Sequence, residues 1–309
     1  MNNEWRVTRR PMKRFVAWQM AALIALSAGG WGIGHAQEPP WSMTAMTFQV
    51  GTLRSPRGEA EEMAFQRKVT HLKEIILCGP SGVGVDVVGL QGVEDMAAAE
   101  ALVVAMNRAL GPERASYVTW LVGESGAGDG PRVALLSKFP LTMFRNYFPT
   151  PSGPSILHGM LDLHGVPLHV IVNAWYRGTR GDADQMRRRQ ALWCRQLAEA
   201  VLKTTPAAHL LILGDFQSPP DSPLMRYLER GASADSPRLW RVSAGVAGGE
   251  PGTPRLTDHI FVSKALAGEG AASRTHVDEA KRCPREINLL AGEQRPAWAG
   301  CSSRAHFRP

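Results

Sequence analysis

The sequence predicts a single α/β domain, and three observations carry that reading. Short strand-like runs alternate with amphipathic helices, 44% of the 309 residues are hydrophobic, and no segment repeats at the period of a solenoid or propeller. A charged fraction of 20% and nine tryptophans spread along the chain exclude a disordered or collagen-like polymer. Mixed strands with helices between them suggest an α/β sandwich. Periodicity alone leaves a single open sheet as the alternative.

Taken in order, Met43 to Leu53 alternates and is rich in Thr, Phe and Val, as a strand requires. Phe65, Val69, Leu72 and Ile76 then recur at helical spacing on one face. Residues 86–91 read as a strand buried on both faces, and 100–110 as a helix stopped by Gly111-Pro112. Strands are expected at 116–122, 133–137, 156–163 and 168–173, the last two turned into a hairpin at Gly165. A helix over 184–203 is expected to bury Met186, Trp193, Leu197 and Val201. The apolar run 209–214 leads into an acidic loop, and 256–262 is the last clear strand.

Residues 1–36 have the form of an export signal, leaving 37–309 as the mature domain. Arg6, Arg9, Arg10, Lys13 and Arg14 precede an apolar stretch over 15–28, and Gly34-His35-Ala36 offers a cleavage site. The apolar stretch is short of the roughly 20 residues a spanning helix needs, so no stable membrane span is expected. Thr8-Arg9-Arg10-Pro11-Met12 partly resembles a twin-arginine signal but lacks its aromatic-leucine pair, so ordinary secretion is the expected route to the periplasm or exterior. Five of the 35 basic residues and one of the 28 acidic residues lie in this segment, so removing it lowers the net charge from +7 to +3. The high pI is therefore weak support for a nucleic-acid partner. Cys78, Cys194, Cys283 and Cys301 allow two disulfides. Cys283 with Cys301 closes the shorter loop, leaving Cys78 with Cys194.

Several chemical motifs look suggestive and carry little. Residues 79–84 are glycine-rich without the Lys-Ser/Thr of a phosphate loop, and Gly123-Glu124-Ser125-Gly126 lacks the last glycine of a nucleophile elbow. His164 and His169 flank the hairpin turn and are expected at the surface.

Five segments do fall into a pattern: Thr47-Phe48-Gln49-Val50-Gly51, residues 86–94, Asn173-Ala174-Trp175, Leu213-Gly214-Asp215-Phe216-Gln217, and residues 256–263. A weaker sixth covers 303–309, and Arg132 to Pro140 adds a strand ending in Ser-x-x-Pro. In their order and at predicted strand ends, these resemble the endonuclease/exonuclease/phosphatase superfamily over most of residues 43–309. The resemblance implies a four-layered α/β sandwich, two mixed β-sheets packed face to face with helices outside, and an active site on one rim. It also implies cleavage of phosphate esters, including nucleic acids, with Mg²⁺ held by hard oxygen ligands.

Carried over residue by residue, the resemblance makes Asp215 the carboxylate that orients the attacking water. Asp258 and His306 become an acid-imidazole pair that accepts its proton. Asn173, Gln217, Gln49 and Arg304 become substrate contacts. Gln217 stands where the family has asparagine, and a misplacement of about 1 Å can cost roughly 100-fold in rate. The metal side is depleted: Gly92 replaces the main carboxylate ligand, Ala305 a second acidic residue, and Trp175 the histidine after Asn-x. Glu94 could stand in for the lost ligand only if the chain bends, and is expected to face solvent. Three functions follow as expectations: an exported, monomeric phosphoester hydrolase with an unusual metal arrangement, a non-catalytic descendant binding a ligand or partner on a rim lined by Trp175, Tyr176 and Arg304, or a structural envelope component.

Overall fold

The computed structural model describes residues 43–78, 83–126, 132–150, 153–179, 181–242 and 257–267, and the backbone of 302–307. The chain divides into two units, Met1–Pro39 and Pro40–Pro309. The expected leader and its cleavage site lie outside the described residues. No described helix is long and apolar enough to cross a membrane.

The second unit runs β1 (Met43–Leu53), α1 (Glu59–Leu77), β2 (Val87–Val93), α2 (Met96–Leu110), β3 (Thr119–Val122), β4 (Arg132–Ser137), β5 (Leu141–Tyr147), β6 (Ile156–Leu163) and β7 (Val166–Ala174). It continues through α3 (Ala183–Thr204), β8 (His209–Asp215), α4 (Pro223–Arg230), β9 (Trp240–Arg241), β10 (Asp258–Val262), α5 (Lys264–Ala267) and β11 (Ser302–Phe307). One mixed sheet has the order β11-β1-β2-β4-β3 and the other β5-β6-β7-β8-β10-β9. Val87, Leu135, Leu157, Val172, Leu213 and Ile260 belong to the apolar layer between the sheets. The outer face of the first sheet buries Phe48, Val88 and Leu90 against Leu72 and Ile76 of α1 and Leu102 and Met106 of α2. The second sheet packs Ile171 and Ile212 against Ala191 and Ala198 of α3 and Leu228 of α4. This is the expected four-layered sandwich, and it excludes the single open sheet.

Local sequence accounts for the element ends. Asp95 caps α2 by accepting from the Ala98 amide at 2.7 Å, and Ser222 caps α4 by accepting from Met225 at 3.3 Å, with Pro223 in the first turn. His164 and Gly165 both take positive φ, at 55° and 90°, which closes the β6–β7 hairpin with the twist its strands need.

Three expectations are corrected here. Cys194 is a free thiol, fully buried on α3, with burial pushing it up to about 12, so it forms no bridge to Cys78. The buried face of α3 is Gln190, Ala191, Cys194, Arg195, Ala198 and Leu202, with Leu197 and Val201 only partly buried and Trp193 exposed. Small side chains, not the largest apolar ones, let this helix approach the sheet. His169 is half-buried rather than superficial: its Nδ1 lies 3.1 Å from Nε2 of the buried His158. The edge strand β5 and helix α4 were not anticipated, because β5 mixes exposed Phe144 with polar residues and lacks clean alternation.

Candidate active site

Strands β1 and β2 run parallel, as do β7 and β8, so Gln49, Gly92, Asn173 and Asp215 all sit toward C-terminal strand ends. β10 runs antiparallel to β8 and begins where β8 finishes, which sets Asp258 directly across from Asp215. The Gln49 backbone amide favours the charged form of the Asp258 carboxyl, an electrostatic link between the two sheets at this rim. Burial, and then the Asp215 charge, push the Asp258 carboxyl well above the usual range, against the opposing pull of Arg177 and the Gln49 amide.

Asp215 is only 2% exposed, and its acceptor capacity is heavily used. Arg177 donates to Oδ2 from Nη2 at 2.7 Å and from Nε at 3.2 Å, while Gln217 donates to the same oxygen from Nε2 at 2.5 Å. Oδ1 accepts from the Gln217 amide at 3.2 Å. Gln217 holds φ at 46°, in the left-handed region where asparagine is far more at ease than glutamine. Its longer side chain folds back onto Asp215. Arg177 had no place among the candidates from sequence. It lies in the coil after β7, beyond the matched motif, and only its long side chain reaches Asp215.

The other candidates are dispersed. Gln49 turns its Oε1 to the Gly51 amide at 2.8 Å, inside its own strand. Asn173 is fully buried and donates to the Leu213 carbonyl at 2.9 Å, leaving Oδ1 with no hydrogen-bond partner among the described residues. Trp175 is buried against Phe216, with ring centroids 5.0 Å apart, and so is part of the core instead of lining the rim. His259 is buried with its ring near Phe216, its Nε2 3.0 Å from the Ser218 carbonyl oxygen, and burial lowers its pKa to about 4. The backbone of β11 pairs His306 with Thr44, Ala305 with Ala45 and Arg304 with Met46. His306 is thus five residues along β1 from Gln49, or roughly 16 Å at strand rise.

Gly92 sits where the backbone leaves no room for a side chain. Between the Gln49–Gln91 and Leu53–Val93 pairs three residues of β1 lie opposite one of β2, and Gly92 is in turn an extra residue of β2 against β4. Gly92 takes φ at 95°, and a Cβ on it would come within 1.8 Å of the Gly51 carbonyl oxygen and 2.7 Å of Gln49 Oε1. No side chain fits. Glu94 emerges beyond the bulge, half-buried beside Arg54 and Arg132, so it faces a cleft and not open solvent. A divalent cation needs several hard oxygen donors. Here Gly92 offers no side chain, Asp215 is committed to Arg177 and Gln217, and no group of three or more His, Cys, Asp or Glu among the described residues is placed to hold a metal ion. The described donor set does not fit Mg²⁺.

The chain matches the "Endonuclease/Exonuclease/phosphatase family" over residues 59–280. No curated protein matches it. Among solved structures it is similar to truncated TDP2 of Caenorhabditis elegans, with a TM-score of 0.51 and 12% identity over 87% of this chain and 98% of that one. It is similar to the human Nocturnin catalytic domain with bound sulfate, with a TM-score of 0.53 and 13% identity over 86% and 94% of the two chains. An endonuclease/exonuclease/phosphatase family protein of Bacteroides thetaiotaomicron gives a TM-score of 0.53 and 13% identity over 87% and 96%. At these identities the likeness is one of fold.

Proposed function

Because the chain belongs to the endonuclease/exonuclease/phosphatase family, a group of nuclease- and phosphatase-like hydrolases, we propose that it is a divergent, exported member that binds a phosphate ester on the ancestral rim without metal-dependent hydrolysis. The carrying observation is Gly92. The backbone at the position of the lost ligand has bulged, so the carboxylate is missing together with the space for it. Arg177 supplies the positive charge instead. A guanidinium binds phosphate through paired N–H donors, and Arg177 is 53% exposed, so an incoming phosphate can share it with Asp215. It cannot generate hydroxide as a metal ion does.

The test is calorimetry of the purified chain with Mg²⁺, Mn²⁺ and inorganic phosphate, alongside hydrolysis of DNA and nitrophenyl phosphate esters. Phosphate binding weakened about tenfold in Arg177→Gln, with no metal-stimulated turnover, is the expected result. Metal-stimulated cleavage that disappears in Asp215→Ala would overturn it in favour of a hydrolase.

Export rests on the basic and apolar order of residues 1–36. A single bridge from Cys78 to Cys283 or Cys301 suits an oxidising compartment, with the buried Cys194 left as a thiol. Mature protein beginning at Gln37 and recovered outside the cytoplasm supports export. Uncleaved protein in the cytosol contradicts it.

A further inference from the structure

Beyond the bulge at Gly92, the ends of β1 and β2 open into a cleft of about 230 Å³ lined by Arg54, Ser55, Arg57, Glu94, Asp95 and Arg132. One of its two carboxylates is already engaged. Asp95 accepts from the Ser55 amide, the Ser55 hydroxyl and the Ala98 amide, each at 2.7 Å. Burial opposes ionisation there, but these bonds and the Arg132 charge outweigh it and hold the Asp95 carboxyl below its ordinary value. Glu61, at the edge of the cleft, takes Arg54 at 2.9 Å and the Arg57 amide at 3.1 Å. The Glu94 charge acts on Lys68, which itself donates to the Thr52 carbonyl.

The guanidiniums are less well matched. Arg132 Nε is buried with no hydrogen-bond partner among the described residues, and a buried donor left unanswered is costly. Arg57 is exposed at the mouth, and Arg54 turns one Nη toward Glu61. The lining carries three guanidiniums, Arg54, Arg57 and Arg132, against two carboxylates, Glu94 and Asp95. The chemistry that completes such a set is a tetrahedral oxyanion, whose oxygens can take paired N–H donors from arginine.

We infer that this cleft is a second phosphate subsite, so that the ligand on the rim carries at least two phosphoryl groups, one at Arg177 and one at Arg57 and Arg132. The inference rests on the phosphate-binding reading of the rim. Both positions lie at the same end of the sandwich, past the C-terminal ends of β1 and β2 on one sheet and of β7 and β8 on the other. An extended ligand can therefore span the bulge between them.

The full chain is titrated with inorganic phosphate, a bisphosphorylated sugar and a single-stranded DNA octamer at two salt concentrations, with circular dichroism as a check on folding. Arg57→Gln and Arg132→Gln are each expected to weaken the two-phosphate ligands about tenfold and to lower the octamer salt slope by about 0.7. Phosphate affinity at Arg177 should stay within twofold. Tighter binding of the sugar assigns a compact bisphosphate, and of the octamer a nucleic acid. If Arg132→Gln unfolds, Arg57→Gln and the charge-conserving Arg132→Lys decide. Unchanged two-phosphate affinity in these variants, with loss in Arg177→Gln, overturns the subsite and leaves the rim reading standing. Loss in Arg57→Gln with no effect of Arg177→Gln overturns the rim reading and keeps the cleft. Wild-type protein that binds none of the probes overturns both.

Discussion

Arg177 and Asp215 form a 2.7 Å ion pair across the candidate site, with the carboxylate buried and the guanidinium half in solvent. The pair sets the charge of the whole rim. It neutralises one of the two facing carboxylates, and its cation opposes the upward push on Asp258. Arg177→Gln should therefore act in two ways. Phosphate affinity falls, and stability drops by about 1 kcal/mol, because solvent screening limits what a half-exposed partner contributes. Urea unfolding monitored by tryptophan fluorescence reads the second effect as a lower midpoint at unchanged slope.

Asp258 gives a pH dependence of defined sign. Its folded-state carboxyl is raised above the unfolded value, so the native state holds the proton more tightly. The stabilisation this provides is fully present below the unfolded pKa near 3.8 and is lost as pH rises through the folded value. Asp258→Asn keeps the size and shape of the side chain and removes the titration. Across the pH range above about 4, the stability of the variant relative to wild type should rise with pH. A difference curve that stays flat would show that Asp258 titrates alike in both states.

The sandwich was legible where side chains repeat with a clear period. Val69, Leu72 and Ile76 are buried on α1, every residue of β2 is buried, and the His164-Gly165 turn closes the expected hairpin. Asp215 and Asp258 could be named because each sits in a short motif at a strand end, and the β8–β10 register makes them direct neighbours. What sequence withholds is backbone displacement and reach. Leu90-Gln91-Gly92 reads as a lost side chain, whereas the structure has a bulge at Gly92 with no space for a Cβ. Gln217 reads as a lengthened substrate contact, yet its extra methylene lets it fold onto Asp215. Trp175 reads as an exposed replacement for a histidine, but its ring is large enough to join Phe216 in the core.

Acid should destabilise the domain through the paired imidazoles of β6 and β7. Burial, followed by the charges of His169 and Arg145, lowers His158 to about 4, and burial lowers His169. A base with a depressed folded pKa contributes stability that is present above its unfolded value near 6.5 and is lost as pH falls toward 4. His259 adds a change of the same sign. His158→Asn should flatten the limb between pH 6.5 and 4 by on the order of 3 kcal/mol, measured as the difference in urea stability between the two pH values. An unchanged acid limb would assign the loss to His259 and other groups.

The bulge at Gly92 makes the last prediction the most direct. Restoring a carboxylate by Gly92→Glu is the obvious way to rebuild a metal site, and it should fail. Any L-residue there is forced to φ near 95° with its Cβ against the Gly51 carbonyl, a combination of backbone strain and overlap that costs about 3 kcal/mol or more. Gly92→Ala carries the same backbone penalty without a charge, so the two variants should lose similar stability in urea. Mg²⁺ should protect neither against unfolding, since binding to the native state alone would raise its midpoint. A folded Gly92→Glu protein stabilised by millimolar Mg²⁺, beside an Ala variant that is not, would mean that β1 and β2 can return to an unbulged register. A carboxylate at position 92 would then be compatible with the fold, and the rim would be able to hold a metal ion.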